Sequence, residues 1–136
     1  MKELNINALP ENLDQVVSFI EDELTLRNCS PKARIQVAIA VEEIYINIAQ
    51  YAYDPDTGPA TVRCEVADEP LAVIIQFLDQ GAPYNPLERQ DPDVNCPIED
   101  RALGGLGIFI VKNSMDSIDY EYRDGKNILT IRKNIE

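Results

Sequence analysis

The chain contains no histidine. Without imidazole it can form neither a Cys/His zinc site nor a Ser-His-Asp triad, and it has no phospho-accepting histidine. Any acid–base chemistry must therefore come from carboxylates, lysine or tyrosine.

The chain has only three cysteines, and their spacing does not suggest disulfide pairs. Cys29, Cys64 and Cys96 are an odd number, lie far apart and form no CxxC motif. This pattern is typical of reduced structural thiols and not of a disulfide framework.

Positive charge is also scarce, with 12 Lys and Arg against 24 Asp and Glu, which gives a formal net charge of −12. Nucleic acid is therefore not an expected partner, because phosphate backbones are bound by a surplus of Lys and Arg. An acidic surface favours solubility or a basic protein partner. No apolar run approaches the roughly 18 residues of a membrane span, and the first residues lack the apolar core of a signal peptide. We expect a cytoplasmic location and no membrane association.

The 136 residues predict a single domain, 1–136, with 45% apolar and 26% charged residues. The predicted order is β-α-α-β-β-loop-α-β-β. This order favours an α+β fold in which helices cover a mostly antiparallel sheet. The predicted elements are a strand at 2–8, a helix capped by Asn12, a helix from Ser30-Pro31 to about Tyr53, strands at 60–67 and 71–79, a helix at about 106–117, and a final hairpin turning at Asp124-Gly125. The stretch 80–103, with four prolines and no clear periodicity, predicts a lid or binding loop.

Glycines 104, 105 and 107 stand at the entry of the apolar helix in GGLGIFIVKNSMD. Each costs helix stability, about 1 kcal/mol relative to alanine, so a bare backbone is expected to have a use. The first turn of a helix presents unpaired N–H groups and partial positive charge, and missing Cβ atoms let an anion approach. The motif predicts a phosphate site; the alternative is a flexible loop meeting a helix cap.

The second predicted helix carries a polar strip between apolar faces. Gln36, Glu43, Asn47 and Gln50 fall within about 60° at 100° per residue. A carboxylate beside an amide carbonyl, one turn apart, suits a magnesium or water site. The alternative is a thin solvated strip. Glu42 points about 100° away from Glu43 and is expected at the surface.

The same helix carries Ile35, Ile39 and Ile46 almost opposite its Val37 and Val41 face. Apolar residues on both sides predict a helix buried from two sides. We expect the first helix, rather than another subunit, to cover these isoleucines.

Asp79 ends the apolar strand AVIIQFL and is followed closely by Gly81, a residue that permits a positive φ. A carboxylate at a strand terminus can accept a hydrogen bond from a ligand amine such as that of adenine. The alternative is an Asx turn, which aspartate commonly forms.

Taken in order, three segments resemble the motifs of the GHKL (histidine kinase-like) ATPase superfamily, and most closely its small anti-sigma-factor serine/threonine kinase branch. The resemblance covers about residues 10–133. EEIYINIAQYAY resembles the family's N box, DQGAPYNP its first glycine box, and GGLGIFIVKNSMDSIDYEYRDGKNILTIRK its second glycine box and closing strands. It implies a two-layer sandwich of the Bergerat type with helices on one sheet face and a long ATP lid.

The resemblance also implies roles for individual residues. Glu43 matches the general base, Asn47 the ligand of Mg²⁺ that ties the metal to the phosphates, and Asp79 the adenine-binding aspartate. Gly81 matches the turn beside that aspartate.

In the second glycine box, Gly105 and Gly107 match glycines that face the phosphates of ATP, with Gly104 and Leu106 beside them. The stretch 80–103 would be the lid, and Arg101 is expected to reach a terminal phosphate.

Two positions depart from the usual pattern. Tyr51 stands where many relatives have histidine, which bears on the lid or metal surroundings. Asn127 stands where a glycine-threonine pair often serves the adenine site, which bears on purine hydrogen bonding.

The implied function is phosphorylation of a serine on an anti-sigma-factor antagonist, with ATP and Mg²⁺ as cofactors. The implied setting is a partner-switching circuit of transcription regulation, with a sigma factor as a further partner and a homodimer as an expected assembly. Two alternatives stay open: a nucleotide-gated binding module without kinase activity, and a structural domain whose glycines only shape a loop.

Overall fold

The computed structural model describes residues 1–88 and 105–136, the side chains of 88, 105 and 106 excepted. These residues form three α-helices and five strands. In chain order they are β1 (Lys2–Asn7), α1 (Leu13–Thr25), α2 (Pro31–Asn47), β2 (Pro59–Asp68), β3 (Leu71–Asp79), α3 (Gly105–Ser114), β4 (Ser117–Arg123) and β5 (Lys126–Asn134). The predicted α+β order is confirmed.

The strands form one sheet in the order β1-β2-β3-β5-β4. All four strand pairings in this sheet are antiparallel, in agreement with the mostly antiparallel sheet that was predicted. Because β5 lies between β3 and β4, the final hairpin folds back beside the middle of the sheet. The register pairs Asp79 with Asn127 across β3 and β5.

The hydrophobic core lies between one face of the sheet and the helices. Strand residues such as Ile75, Phe77 and Ile131 are at most 1% exposed, as are Val37 and Ile44 of α2. Alternate strand residues point to the core, as the period of two requires. This packing places Asn47, the last residue of α2, near the end of the central strand β3.

Local signals fix several element ends. The Ser30 hydroxyl accepts a hydrogen bond from the Ala33 amide at 3.2 Å, as a helix N-cap should, and Pro31 opens α2. Asp124 and Gly125 have φ of 55° and 77°, which turns the β4–β5 hairpin as predicted. Asn12 stands at the N-cap of α1 as predicted, but its side chain makes no capping hydrogen bond and donates to the Asn7 carbonyl at 2.9 Å.

Helix α2 is buried on one side only. Ile35 is 61% exposed and Ile39 is 42% exposed, while Ile46 is half-buried against the core. Helix α1 packs beside α2 and buries its own Val16, Ile20 and Leu24, but Ile35 and Ile39 of α2 stay exposed. The expectation that the first helix covers these two isoleucines is therefore wrong, because apolar periodicity does not specify where a neighbouring helix lies.

No helix within residues 1–88 and 105–136 is long and apolar enough to cross a membrane.

Candidate functional site

A cavity of about 420 Å³ lies between α2, the ends of β3 and β5, and α3. Most of its wall is apolar, and Asn47, Asp79 and Asn127 contribute polar groups. The apolar wall includes Ile44, Ile48, Phe77, Ile108 and Leu129. An apolar cavity with a few converging polar groups is the usual form of a small-molecule site.

Asp79 is the last residue of β3 and is only 7% exposed. Its Oδ1 accepts hydrogen bonds from the Gly81 amide and from Asn127 Nδ2, both at 2.9 Å. Within the part of the chain that the structure describes, no donor reaches its Oδ2. The Asx-turn alternative is thus present, but it uses one carboxylate oxygen and leaves the other for a ligand.

Gly81 is buried against Ala52, in the helical turn that follows α2. A Cβ atom at this position would overlap the backbone carbonyl of Ala52. Gly81 does not use the positive φ that glycine permits, and among the described glycines only Gly125 has one. Close approach of two backbones, not a left-handed conformation, requires glycine here.

Glu43 lies half-buried on α2 and faces the first turn of α3. A Cβ atom on Gly107 would overlap the Glu43 carboxylate and lie 3.1 Å from its Cδ. The structure therefore brings a predicted residue of the N box into contact with the second glycine box. A carboxylate at the start of a helix also has a favourable interaction with the helix dipole.

The polar strip of α2 is half-buried at Gln36, Glu43 and Asn47 and exposed at Gln50. Asn47 is the last residue of α2 and lines the cavity. A π-helical turn, Ile48–Ala52, follows directly. Such turns widen a helix locally and are frequent at functional sites. Glu42 is exposed, as predicted.

The Tyr53 hydroxyl joins three segments around the cavity. It donates to the Pro59 carbonyl at 2.5 Å and accepts from the Gln80 amide at 2.7 Å. Burial raises the pKa of this phenol, and the nearby Asp79 carboxylate adds to the increase. Tyr53 thus holds the start of β2 against the residue that follows Asp79.

The remaining predicted site residues belong to the second glycine box and the lid. Gly105 and Leu106 are the first two residues of α3. Arg101, Gly104 and positions 89–103 of the predicted lid lie outside the described residues.

The sequence did not predict three contributors to this site. Tyr53, Tyr84 and Tyr120 either brace or line the cavity. Their only sequence signal is aromatic character close to a glycine box or a hairpin. The departure noted at Tyr51 also bears on the cavity, because its 53% exposed side chain lies on the cavity wall.

The family match assigns this fold to an ATPase domain. Residues 6–133 match the family model of the histidine kinase-like ATPase domain, and the chain belongs to that family. The superfamily resemblance carried by the three motifs is thereby confirmed.

Two characterised relatives refine this class. The chain is 28% identical over 102 residues to the serine/threonine-protein kinase BtrW of Bordetella bronchiseptica, covering 75% of this chain and 71% of that protein. It is 29% identical over 93 residues to the serine-protein kinase RsbW of Bacillus cereus, covering 67% of this chain and 58% of that protein. These kinases support the branch that the motifs predicted. The matched region thus spans little more than half the length of the Bacillus relative.

A solved structure agrees on the fold. The histidine kinase AdeS of Acinetobacter baumannii superposes with a TM-score of 0.53 at 15% identity, over 100% of this chain and 70% of that chain. At this identity the likeness concerns the fold alone.

Proposed function

We propose that this chain is an ATP-dependent protein serine/threonine kinase that phosphorylates a serine of a small anti-sigma-factor antagonist. The observation that carries the proposal is a cavity lined by Asn47 and Asp79, with Glu43 on the same helix as Asn47 and against Gly107 at the start of α3. Membership in an ATPase family and likeness to two named serine kinases support it.

The cavity fits an adenine base. Its apolar wall suits a flat aromatic ring, and the free Oδ2 of buried Asp79 is a hydrogen-bond acceptor for an exocyclic amine. Asn47, on the same wall, supplies the hard oxygen that magnesium prefers.

The start of α3 fits the phosphates. Gly105, Leu106 and Gly107 form its first turn, where backbone N–H groups and the helix dipole favour anions. The contact of Gly107 with Glu43 places this turn beside the proposed general base. Gly104 and Arg101 are assigned to the phosphates on the family resemblance alone.

Bound Mg-ATP supplies the phosphoryl group and neutralises much of its charge. Glu43 accepts the proton of the incoming serine hydroxyl. The serine oxygen bonds to the γ-phosphorus of ATP while the bond between that phosphorus and the departing ADP breaks. General-base assistance of this kind contributes about 10²–10⁴-fold. The buried Asp79 and the α3 turn keep the two ends of the nucleotide in line with that base.

Likeness to the same kinase branch supports four further parts of the proposal. The protein acts in a partner-switching circuit of transcription regulation, binds a sigma factor as second partner, forms a homodimer and is located in the cytoplasm.

Nucleotide binding is tested first, by calorimetric titration of the protein with Mg-ATP. Asp79→Asn is expected to weaken binding at least tenfold, because the amide presents a donor where the base amine needs an acceptor. Asp119→Asn is the matched control, since Asp119 is exposed on β4. No binding by the wild type would favour the purely structural alternative.

Transfer is tested next, with γ-labelled ATP and a candidate antagonist protein encoded beside this gene. Glu43→Gln should lower transfer by about 10²–10⁴-fold while leaving Mg-ATP binding intact. Glu42→Gln should change neither, because its side chain is exposed on another face of the same helix. Binding without transfer, unaffected by Glu43→Gln, would instead identify a nucleotide-gated binding module.

A further inference from the structure

Asn127 is one of two buried polar residues among the described parts of the chain, and Asp79 is the other. Each is 7% exposed, and the sheet register sets them directly opposite each other on β5 and β3. Directly opposed residues of an antiparallel pair point to the same face, so both side chains meet at the cavity wall.

The amide nitrogen of Asn127 donates to three oxygens. They are Asp79 Oδ1 at 2.9 Å, the Ala82 carbonyl at 3.0 Å and the Gly81 carbonyl at 3.3 Å. An amide NH₂ carries two hydrogens, so these contacts use its whole donor capacity.

The amide oxygen of Asn127 is occupied as well. It accepts from the Tyr84 amide at 3.0 Å and from the Tyr120 hydroxyl. An amide oxygen has two lone pairs, and both are used. Asn127 thus has no hydrogen-bonding capacity left for a ligand, although it lines the cavity.

We infer that Asn127 is a positioning residue for the nucleotide base, which it orders through Asp79 without touching it. By occupying Asp79 Oδ1 it turns Oδ2 toward the cavity, and by binding residues 81, 82 and 84 it fixes the loop that forms the adjoining wall. Specificity at this wall then rests on a single carboxylate oxygen, an acceptor that matches an amine-bearing purine. This inference rests on the proposed function, because it assigns the role of Asn127 at the proposed adenine site.

A threonine at position 127 has only one hydroxyl hydrogen, so it could not replace the two hydrogens that the Asn127 amide donates. An aspartate is nearly isosteric but offers a second carboxylate against Asp79. Two carboxylates that share one site raise the pKa of one of them, because both cannot readily ionise together. The proton retained by that group restores a donor between the two side chains. This behaviour separates an orienting role from a purely structural one.

The experiment measures Mg-ATP and Mg-GTP dissociation constants by calorimetry for the wild type, Asn127→Ala and Asn127→Asp at pH 5.5 and pH 8. Asn127→Ala is expected to weaken ATP binding about tenfold to a hundredfold and to narrow the preference for ATP over GTP. Asn127→Asp is expected to bind ATP weakly at pH 8, with its deficit against the wild type shrinking about tenfold at pH 5.5. Comparing each variant with the wild type at the same pH cancels the ionisation of the nucleotide itself.

Among residues 1–88 and 105–136, the phenols on or beside the cavity wall that holds this pair are those of Tyr51, Tyr53, Tyr84 and Tyr120. Phenols ordinarily ionise near pH 10, outside this window. Tyr120→Phe removes one donor to the Asn127 oxygen and should weaken ATP binding several-fold. Tyr122→Phe, on the same strand and exposed, is its matched control and should stay within twofold.

A wild type that binds no nucleotide overturns the proposed function. A wild type that binds ATP, with an Asn127→Asp deficit equal at both pH values, overturns the positioning role and leaves the proposed function standing. If Asn127→Ala does not fold in a thermal melt, the Asn127→Asp profile and the Tyr120→Phe comparison decide the question by the same criteria.

Discussion

A side chain of any size at Gly107 would overlap the carboxylate of Glu43. The two residues lie far apart in the sequence, on α3 and α2, yet they meet where α3 begins beside α2. The contact explains why a glycine is kept inside the first turn of a helix, where it costs stability relative to alanine. The space that a Cβ would fill is taken by the proposed general base.

Substitution of Gly107 by alanine tests this contact. Alanine raises helix propensity by about 1 kcal/mol. In the wild type its Cβ would displace the Glu43 carboxylate, which is the end of a flexible side chain, so part of that gain is lost. We therefore expect Gly107→Ala to raise the melting temperature by less in the wild type than in a Glu43→Ala background. Asn113→Ala, exposed on the same helix, serves as control. Equal changes in the two backgrounds would disprove the contact.

Gly81 and Gly125 require glycine for two different reasons, which are close approach to another backbone at Gly81 and a positive φ at Gly125. Gly81→Ala would press a Cβ into the Ala52 carbonyl and should cost about 1–3 kcal/mol, together with nucleotide affinity. Gly125 has φ of 77° with open space around it, so Gly125→Ala should cost about 1–2 kcal/mol through backbone strain alone. Denaturant unfolding measures stability, and calorimetry measures affinity. Equal affinity losses in the two variants would contradict this assignment.

The phenol of Tyr53 should make stability depend on alkaline pH. Burial raises its pKa in the folded protein, so the folded state keeps a proton that the unfolded chain loses first. Its contribution to stability is therefore complete below about pH 10 and is lost as pH rises through the raised pKa. Tyr53→Phe should lower stability at pH 7 by about 1–2 kcal/mol, because the Gln80 amide loses its acceptor.

Urea unfolding at pH 7 and pH 10.5 checks this prediction. The variant should show a shallower decline over that interval than the wild type. Tyr122→Phe, an exposed phenol, should follow the wild type. Parallel declines in Tyr53→Phe and the wild type would refute the role assigned to Tyr53.

Cys64 should be inert in the folded protein. It is buried in β2, and burial raises the pKa of its thiol to about 12. The thiolate is the reactive form, so alkylation at pH 8 should be much slower at Cys64 than at half-buried Cys29. The raised pKa also means that stability falls as pH rises from about 9 toward 12. Peptide mapping after a timed reaction with iodoacetamide, with and without urea, quantifies each site; rapid native labelling of Cys64 would contradict its burial.

Local patterns were sufficient for much of the architecture. The Ser30-Pro31 start of α2 and the Asp124-Gly125 turn depend on neighbouring residues, and both predictions are confirmed. Asn12 was correctly placed at the N-cap of α1, but the hydrogen bond of its side chain to the Asn7 carbonyl was not predictable from the local pattern. The same limit applies to Ile35 and Ile39, whose exposure depends on where α1 packs.

The sequence by itself determined the order of the elements, the fold class and the family, because side-chain periodicity, caps and turn residues act over a few positions. It also singled out Glu43, Asn47, Asp79 and the glycines. Only the tertiary structure decided that Asp79 faces Asn127, that Gly81 abuts Ala52 and that Gly107 abuts Glu43. Those relationships join residues distant along the chain, and their geometry is fixed by strand register and helix packing, for which no local pattern exists.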